Sequence, residues 1–264
     1  TGRQPVGDIV ASEIPEKDAF VRRKPWGVVA VITPWNFPFA VPLWMLGPSL
    51  LEGNTAVFKP SEQTPMVAEW IVKQWHEAGL PAGVLNLVQG ERDTGMLLSK
   101  SNIKGLLFTG SSATGKLLHA QFSGRPEIML ALEMGGNNAL IVSQVGDIRA
   151  AVHETLLSAF TGSGQRCTCA RRLIVVKSKN SDVFVKLLVE SAEKLVVGAY
   201  DENPEAFMGP LISMREANRL LEAQDKIEKQ GGKILLRMRN TKKELPFLTP
   251  CIIDVTKSKQ IDDV

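Results

Sequence analysis

Short apolar segments rich in β-branched residues alternate with helix-like segments along most of the chain. The segments 26–33, 54–60 and 103–110 are typical of buried strands, and the amphipathic segment 64–79 is typical of a helix. Strand and helix signals that alternate at this spacing indicate β-α-β units, whose strands pair in parallel. We therefore predict an α/β fold, with a domain boundary near the glycine pair Gly135–Gly136, where the motifs change character.

The same alternation continues through the second half of the chain. We predict strands at 138–143 and 172–178, and helices at 147–160, 181–196 and 212–231. These segments have the apolar periodicity of elements that cover a sheet. The second half is therefore expected to be α/β as well.

Charge and composition exclude several classes of protein. The net charge is only +3 and is spread along the chain, which argues against a protein whose main role is to bind nucleic acid. No apolar run reaches the roughly 18 residues that a membrane span needs, and no secretory signal is visible. Three cysteines are too few for a disulfide framework, so we expect a protein of the reducing cytoplasm.

Cys167 is the residue whose chemistry most constrains function. It lies in the segment TGSGQRCTCARR, where Arg166, Arg171 and Arg172 could supply the positive potential that favours a thiolate. A buried structural cysteine fits the same sequence. A metal site is not expected, because Cys167 and Cys169 have no second cysteine pair or histidine cluster nearby.

Glu133 is the second candidate. It closes the apolar run IMLALEMGG, where a charged side chain needs a partner or a function. Burial there would suit the carboxyl to general-base catalysis. A carboxylate at the end of a helix or strand, exposed to water, is the alternative.

Three further segments could bind a ligand. FTGSSATG (108–115) runs from a strand through a glycine-rich turn into a helix, whose first N–H groups can bind phosphate. TPWNFP holds Asn36 between two prolines, where its amide could donate to an oxyanion. FKPSEQTP follows a strand end, where Lys59 and Glu62 could hold a ribose. Each segment alone also fits an ordinary turn or solvated loop.

Five motifs occur together in one order: TPWNFP, FKPSEQTP, FTGSSATG, LEMGG and GQRC. In these motifs and their spacing the chain resembles the aldehyde dehydrogenase superfamily, and the resemblance covers nearly all of it. The resemblance implies a Rossmann-type cofactor domain with a parallel sheet over 25–135, followed by part of an α/β catalytic domain over 136–264. Residues 1–24 resemble part of the family's oligomerisation hairpin.

The resemblance also implies catalytic roles. Cys167 corresponds to the nucleophile that attacks the aldehyde carbon and forms a thioester. Asn36 and the Cys167 backbone N–H correspond to the oxyanion hole. Glu133 corresponds to the general base that activates water to hydrolyse the thioester.

NAD is the cofactor that the resemblance implies. Lys59 and Glu62 would contact the adenosine ribose, and a carboxylate at Glu62 would repel a 2′-phosphate, which favours NAD over NADP. The residues expected at the pyrophosphate are those of the glycine-rich turn, namely Gly110, Ser111, Ser112, Ala113, Thr114 and Gly115. Arg166 and Arg171 are hypothetical ligands for the carboxylates of an acidic semialdehyde, because arginine binds carboxylates in bidentate fashion.

The family's chain continues beyond position 264 through an E-x-F-G-P motif that has no match here, so we expect a central fragment of a longer, homo-oligomeric protein. Three alternatives stay open. The chain could be a truncated, inactive nucleotide-binding fragment. It could transfer the acyl group to coenzyme A, although Glu133 disfavours this, or it could oxidise another aldehyde such as glutamate 5-semialdehyde.

Overall fold

The computed structural model describes residues 7–258 and consists of two compact units, of which the first ends at Gly135 and the second begins at Gly136. Residues 1–6 of the predicted hairpin segment 1–24 and residues 259–264 of the predicted catalytic segment 136–264 lie outside the described residues. Each unit contains helices and parallel strands, so the predicted α/β fold is confirmed. Over the described part of the chain, none of the helices combines the length and the apolar character that a membrane span requires.

A five-stranded parallel sheet forms the centre of the first unit. Its strands, in chain order, are β3 (Val28–Ile32), β4 (Thr55–Lys59), β5 (Leu85–Leu87), β6 (Gly105–Gly110) and β7 (Met129–Met134). Their spatial order is β5-β4-β3-β6-β7. A separate antiparallel pair precedes them, formed by β1 (Gly7–Val10) and β2 (Ala19–Arg22).

Helices cover both faces of this sheet. They are α1 (Ala40–Leu51), α2 (Pro65–Glu77), α3 (Arg92–Lys100) and α4 (Ser112–Phe122). Because side chains alternate along a strand, Val31 packs in one core with Leu46 of α1, whereas its neighbour Ala30 packs in the other with Leu118 of α4. The strands are thus apolar on both sides, which explains why the sequence shows them as continuous apolar runs.

The strand order places a topological switch point at the carboxyl edge of the sheet, where the five parallel strands end. The chain proceeds from β3 outwards through β4 and β5 on one side, and then returns to place β6 and β7 on the other. At such a switch point the loops after the two central strands diverge, and ligands of parallel sheets bind between them. Asn36 follows β3 and Ser111 follows β6, so both lie at this edge.

The second unit has two small sheets. Its elements are β8 (Asn138–Val142), α5 (Ile148–Phe160), β9 (Ala170–Val175), α6 (Ser181–Ala192), α7 (Met214–Lys229), β10 (Lys233–Leu236) and β11 (Ile252–Asp254). The pair β8–β9 is parallel and the pair β10–β11 is antiparallel. Helix α5 begins at its cap Asp147, whose carboxylate accepts the N–H groups of Arg149 and Ala150.

Candidate active site

The glycine-rich turn connects β6 to α4 and leaves the start of that helix open to water. Ser111 caps the helix, because its Oγ accepts the Thr114 N–H at 3.3 Å. Ser112 is held from outside the helix, since its Oγ donates to the carbonyl oxygen of Gly135 at 3.1 Å. Ser111, Ser112, Ala113 and Thr114 are all exposed. A capped, exposed helix start of this kind attracts anions through its N–H groups and its dipole.

Gly115 allows α4 to approach the end of β7. A Cβ atom built on Gly115 would lie 2.2 Å from Sδ and 2.8 Å from Cγ of Met134. Only glycine fits this position while Met134 keeps its present rotamer. The close approach therefore fixes where the first turn of α4 lies relative to the sheet edge.

Replacing Gly115 with alanine is expected to lower the free energy of unfolding by about 1–3 kcal/mol, because the new methyl group must displace Met134. Urea denaturation would measure this change. The matched control is Gly95→Ala in α3, where the nearest atom to the new Cβ is Cδ of Lys59 at 4.0 Å, an ordinary contact, and the higher helix propensity of alanine should raise stability. The double variant with Met134→Ala should recover most of the loss, and a double variant as unstable as Gly115→Ala would contradict the proposed clash.

Lys59 and Glu62 lie together at the carboxyl end of β4. The Lys59 side chain is buried and its Nζ is 3.6 Å from Oε2 of the more exposed Glu62. The backbone of Lys59 also connects to the neighbouring strand, because its carbonyl oxygen accepts the Thr33 N–H at 3.2 Å. A buried lysine beside an exposed carboxylate gives this edge of the sheet two polar groups that a sugar can contact.

Asn36 and Glu133 also lie at the carboxyl edge of the first unit. Asn36 is half-buried in the loop between β3 and α1. Glu133 lies opposite Thr109 in the pairing of β6 and β7, one residue before β7 ends. Of the two interpretations of Glu133, the water-exposed carboxylate at a strand end fits, since its side chain is exposed: β7 is the outermost strand of the sheet and Glu133 is near its end.

The loop that carries Cys167 begins with three left-handed residues. In the 3-10 turn Thr161–Gly164, φ is 64° at Gly162, 58° at Ser163 and 71° at Gly164. Glycine adopts this conformation freely, but a serine there is strained and needs support. The support comes from its own Oγ, which donates to the carbonyl oxygen of Gly209 at 2.8 Å.

Two more side chains hold the same loop. Gln165 accepts the Ile212 N–H on its Oε1 at 2.9 Å. Ser163 and Gln165 therefore both bind the 209–212 segment. Asn138, the first residue of β8, donates from Nδ2 to the carbonyl oxygens of Cys167 at 2.6 Å and Cys169 at 3.0 Å. The loop is therefore anchored on both sides of Cys167.

The two neighbouring cysteines differ in exposure. Cys167 is exposed, whereas Cys169 is buried with its Sγ 3.7 Å from the carbonyl oxygen of Thr161. The interpretation as a buried structural cysteine therefore fits Cys169 but does not fit Cys167. An exposed thiol on an anchored loop is accessible to a substrate, which a nucleophile requires.

The arginines of this segment face backbone carbonyl groups. Asn138 pairs with Ala170 and Ala139 pairs with Arg172, so Arg171 is the additional residue of a β-bulge. Its guanidinium lies 3.5 Å from the carbonyl oxygen of Arg166. Arg172 instead donates to the carbonyl oxygen of Asn137, at 3.0 Å.

The structure thus gathers the candidates into two groups, one in each unit. Asn36, Lys59, Glu62, Glu133 and the glycine-rich turn belong to the first unit, and Cys167, Arg166 and Arg171 to the second. Sequence reasoning missed Ser163, Gln165 and Asn138; the polar pair after LEMGG, at the start of an apolar strand, was the available signal for Asn138. No cluster of potential metal ligands occurs among residues 7–258.

The family model described as "Aldehyde dehydrogenase family" matches residues 2–263. The chain belongs to this family. Within the family, LEMGGNNALIV, GQRCTCARRL and AGLPAGVLNLVQG resemble N-succinylglutamate 5-semialdehyde dehydrogenase. That resemblance is confirmed: the protein of this name from Chromobacterium violaceum is 53% identical over 254 residues, covering 96% of this chain and 52% of the relative.

Solved structures are similar to this chain over nearly all of its length. An NADP-dependent enzyme of E. coli has a TM-score of 0.87 and 33% identity, covering 96% of this chain and 52% of that one. The protein PnpE, solved with nicotinamide adenine dinucleotide, has a TM-score of 0.85 and 35% identity, covering 94% of this chain and 51% of that one. The chain therefore spans about half the length of the relatives it matches.

Proposed function

We propose that this chain is the cofactor-binding and nucleophile-bearing part of an NAD-dependent dehydrogenase that oxidises N-succinylglutamate 5-semialdehyde to N-succinylglutamate in arginine catabolism. The observation that carries the proposal is the contrast between the two cysteines: Cys167 is exposed on an anchored loop, and Cys169 is buried. The 53% identity with a relative named for this reaction supports the choice of substrate.

The chemistry follows from the reactive groups. The Cys167 thiolate attacks the aldehyde carbon, while the Asn36 amide and the Cys167 N–H donate hydrogen bonds to the new alkoxide. A nicotinamide cofactor held at the start of α4 would supply the oxidant, by accepting the hydride that leaves this carbon. Cys167 is left with a thioester. Glu133 then takes a proton from water, the water oxygen attacks the thioester, and the acid and the Cys167 thiolate are released.

The residues at the sheet edge fit the adenosine half of such a cofactor. The start of α4, with its capped and exposed first turn, suits a pyrophosphate. The Glu62 carboxylate beside Lys59 can accept a hydrogen bond from a ribose hydroxyl and would repel a 2′-phosphate. We therefore propose NAD as the preferred cofactor.

The direct test is to follow NADH formation by absorbance in the full-length protein with N-succinylglutamate 5-semialdehyde, and to compare kcat/KM for NAD and for NADP. The expected result is turnover with a clear preference for NAD. A preference for NADP would contradict the role given to Glu62. Turnover of an unrelated aldehyde alone would contradict the substrate and leave the reaction class intact.

Two arginines near the nucleophile are proposed to recognise the acidic substrate. Replacing Arg171 or Arg166 with alanine should raise the KM for the acidic semialdehyde about tenfold or more, because a charge-assisted bidentate contact is lost. The KM for an uncharged aldehyde should hardly change. Arg149→Ala, on the exposed side of α5 in the same unit, is the matched control. Equal changes for both aldehydes would refute this recognition role.

We also infer a homo-oligomer in the cytoplasm. The β1–β2 pair leaves Ile9 79% and Phe20 57% exposed, and contact with a second copy of the protein would remove this apolar surface from water. All three cysteines are free, and a reducing compartment would protect a catalytic thiolate from oxidation. Size measurements on the full-length protein would test the oligomer.

A further inference from the structure

The Asn138 side chain donates two hydrogen bonds to the backbone of the nucleophile loop. Its Nδ2 donates to the carbonyl oxygen of Cys167 at 2.6 Å and to that of Cys169 at 3.0 Å, across 29 and 31 positions of sequence. An amide nitrogen carries two hydrogens, so these two bonds use the whole donor capacity of the side chain.

The position of Asn138 makes this contact rigid. It is the first residue of β8, and its backbone lies opposite Ala170 of β9 in the parallel pair. The side chain is half-buried and short, with only two rotatable bonds. A donor mounted on the start of a paired strand holds its acceptors in one place more firmly than a donor on a mobile loop.

The contact completes the anchoring of Cys167. On the N-terminal side, Ser163 and Gln165 bind the 209–212 segment. On the C-terminal side, Asn138 fixes the Cys167 carbonyl and therefore restricts rotation about the Cα–C bond of Cys167. With both sides held, the backbone of Cys167 keeps one orientation relative to β8, and so do its N–H group and the Cα–Cβ bond that carries Sγ.

We propose that Asn138 is a positioning residue for the nucleophile, which fixes the Cys167 backbone so that its thiolate and its N–H group act on the same carbonyl group. The inference rests on the proposed function, since it assigns to Asn138 a role in that reaction. The residue itself does not touch the reacting atoms; it acts through the Cys167 carbonyl.

Asn138→Ala is expected to lower kcat by about tenfold to a hundredfold, because a small misplacement of a reacting group has effects of this size. The aldehyde KM should stay within about threefold of the parent value, since substrate-binding groups are unchanged. Asn138→Asp keeps the shape of the side chain but turns a carboxylate towards two carbonyl oxygens. Its kcat should therefore be at least as low as that of Asn138→Ala. Asn138→Ser keeps one donor and should give an intermediate kcat.

Hydrogen exchange in the full-length protein measures the anchoring without any assay of activity. In Asn138→Ala, the amides of 163–172 should exchange at least about tenfold faster, and those of α5 and α6 should not change. The matched control is Asn240→Ala, which also removes an Asn-to-backbone bond of the second unit, to the carbonyl oxygen of Leu245 at 3.0 Å. Asn240→Ala should leave kcat and the exchange of 163–172 unaffected.

The outcomes separate the two proposals. An active parent whose Asn138→Ala variant has an unchanged kcat, or unchanged exchange over 163–172, overturns the positioning role alone. Faster exchange throughout the second unit in both the Ala and Ser variants also overturns it, because the loss would then come from unfolding. A parent that forms no NADH overturns the proposed function, and the positioning role with it.

Discussion

Replacing Cys167 with alanine is expected to reduce NADH formation in the full-length protein by at least about a thousandfold, because Cys167 supplies the sulfur of the proposed thioester. Cys167 is the exposed cysteine of the pair at 167 and 169, and its loop is anchored on both sides. The measurement is the initial rate at saturating aldehyde and NAD. Cys167→Ser should be nearly as inactive, since an unactivated hydroxyl is a much weaker nucleophile than a thiolate.

Cys251→Ala is the matched control for this prediction. Burial raises the pKa of the Cys251 thiol, so at neutral pH it stays protonated and unreactive. Its removal should leave the rate within about twofold of the parent. A Cys167→Ala variant that keeps more than about a tenth of the parent rate would refute the assignment of the nucleophile. A Cys251→Ala variant that no longer forms NADH would refute it as well.

Glu133→Gln is expected to leave the first turnover intact and to slow the steady state by about 10²–10³-fold, the size of effect expected when a general base is lost. Oxidation of the first aldehyde yields NADH and the thioester, but water is then no longer activated. Stopped-flow absorbance should therefore show a burst of about one NADH per active site. Mass spectrometry of the quenched protein should find the acyl group on the peptide that contains Cys167.

Glu127→Gln is the control for the burst experiment. Glu127 is an exposed carboxylate two residues before β7, and its pKa is lowered by backbone hydrogen bonding and by Arg125. Its loss removes one surface ion pair and should not change the rate. A Glu133→Gln variant without a burst would mean that Glu133 acts before the thioester forms, and an unchanged steady state would exclude it as the base.

The elements that the sequence predicts well are those with a strong local pattern. The predicted strand at 54–60 is observed as Thr55–Lys59, and the predicted helix at 64–79 as Pro65–Glu77. A strand covered on both faces is apolar throughout, and an amphipathic helix repeats its apolar residues every third or fourth position. Both patterns are visible in a single sequence because they depend on neighbours along the chain.

The strands that the sequence does not predict depend on partners far away in the chain. β10 and β11 are only four and three residues long and pair with each other across a long intervening segment, so neither has a clear local pattern. The apolar run before Glu133 is compatible with either burial or exposure of its carboxylate. That run forms the outermost strand of the sheet, and the position of a strand within a sheet is not encoded in its own residues.

The sequence by itself determined the α/β class and the family, and it predicted the reactive groups, since these follow from local periodicity and from motifs in a fixed order. Only the tertiary structure decided which of Cys167 and Cys169 is exposed, that Arg171 occupies a bulge, and that Asn138 anchors the nucleophile loop. Exposure, register and hydrogen-bond partners are set by contacts between residues far apart in the chain. A side chain's reactivity is a local property, but its position relative to a substrate is fixed only when those contacts form.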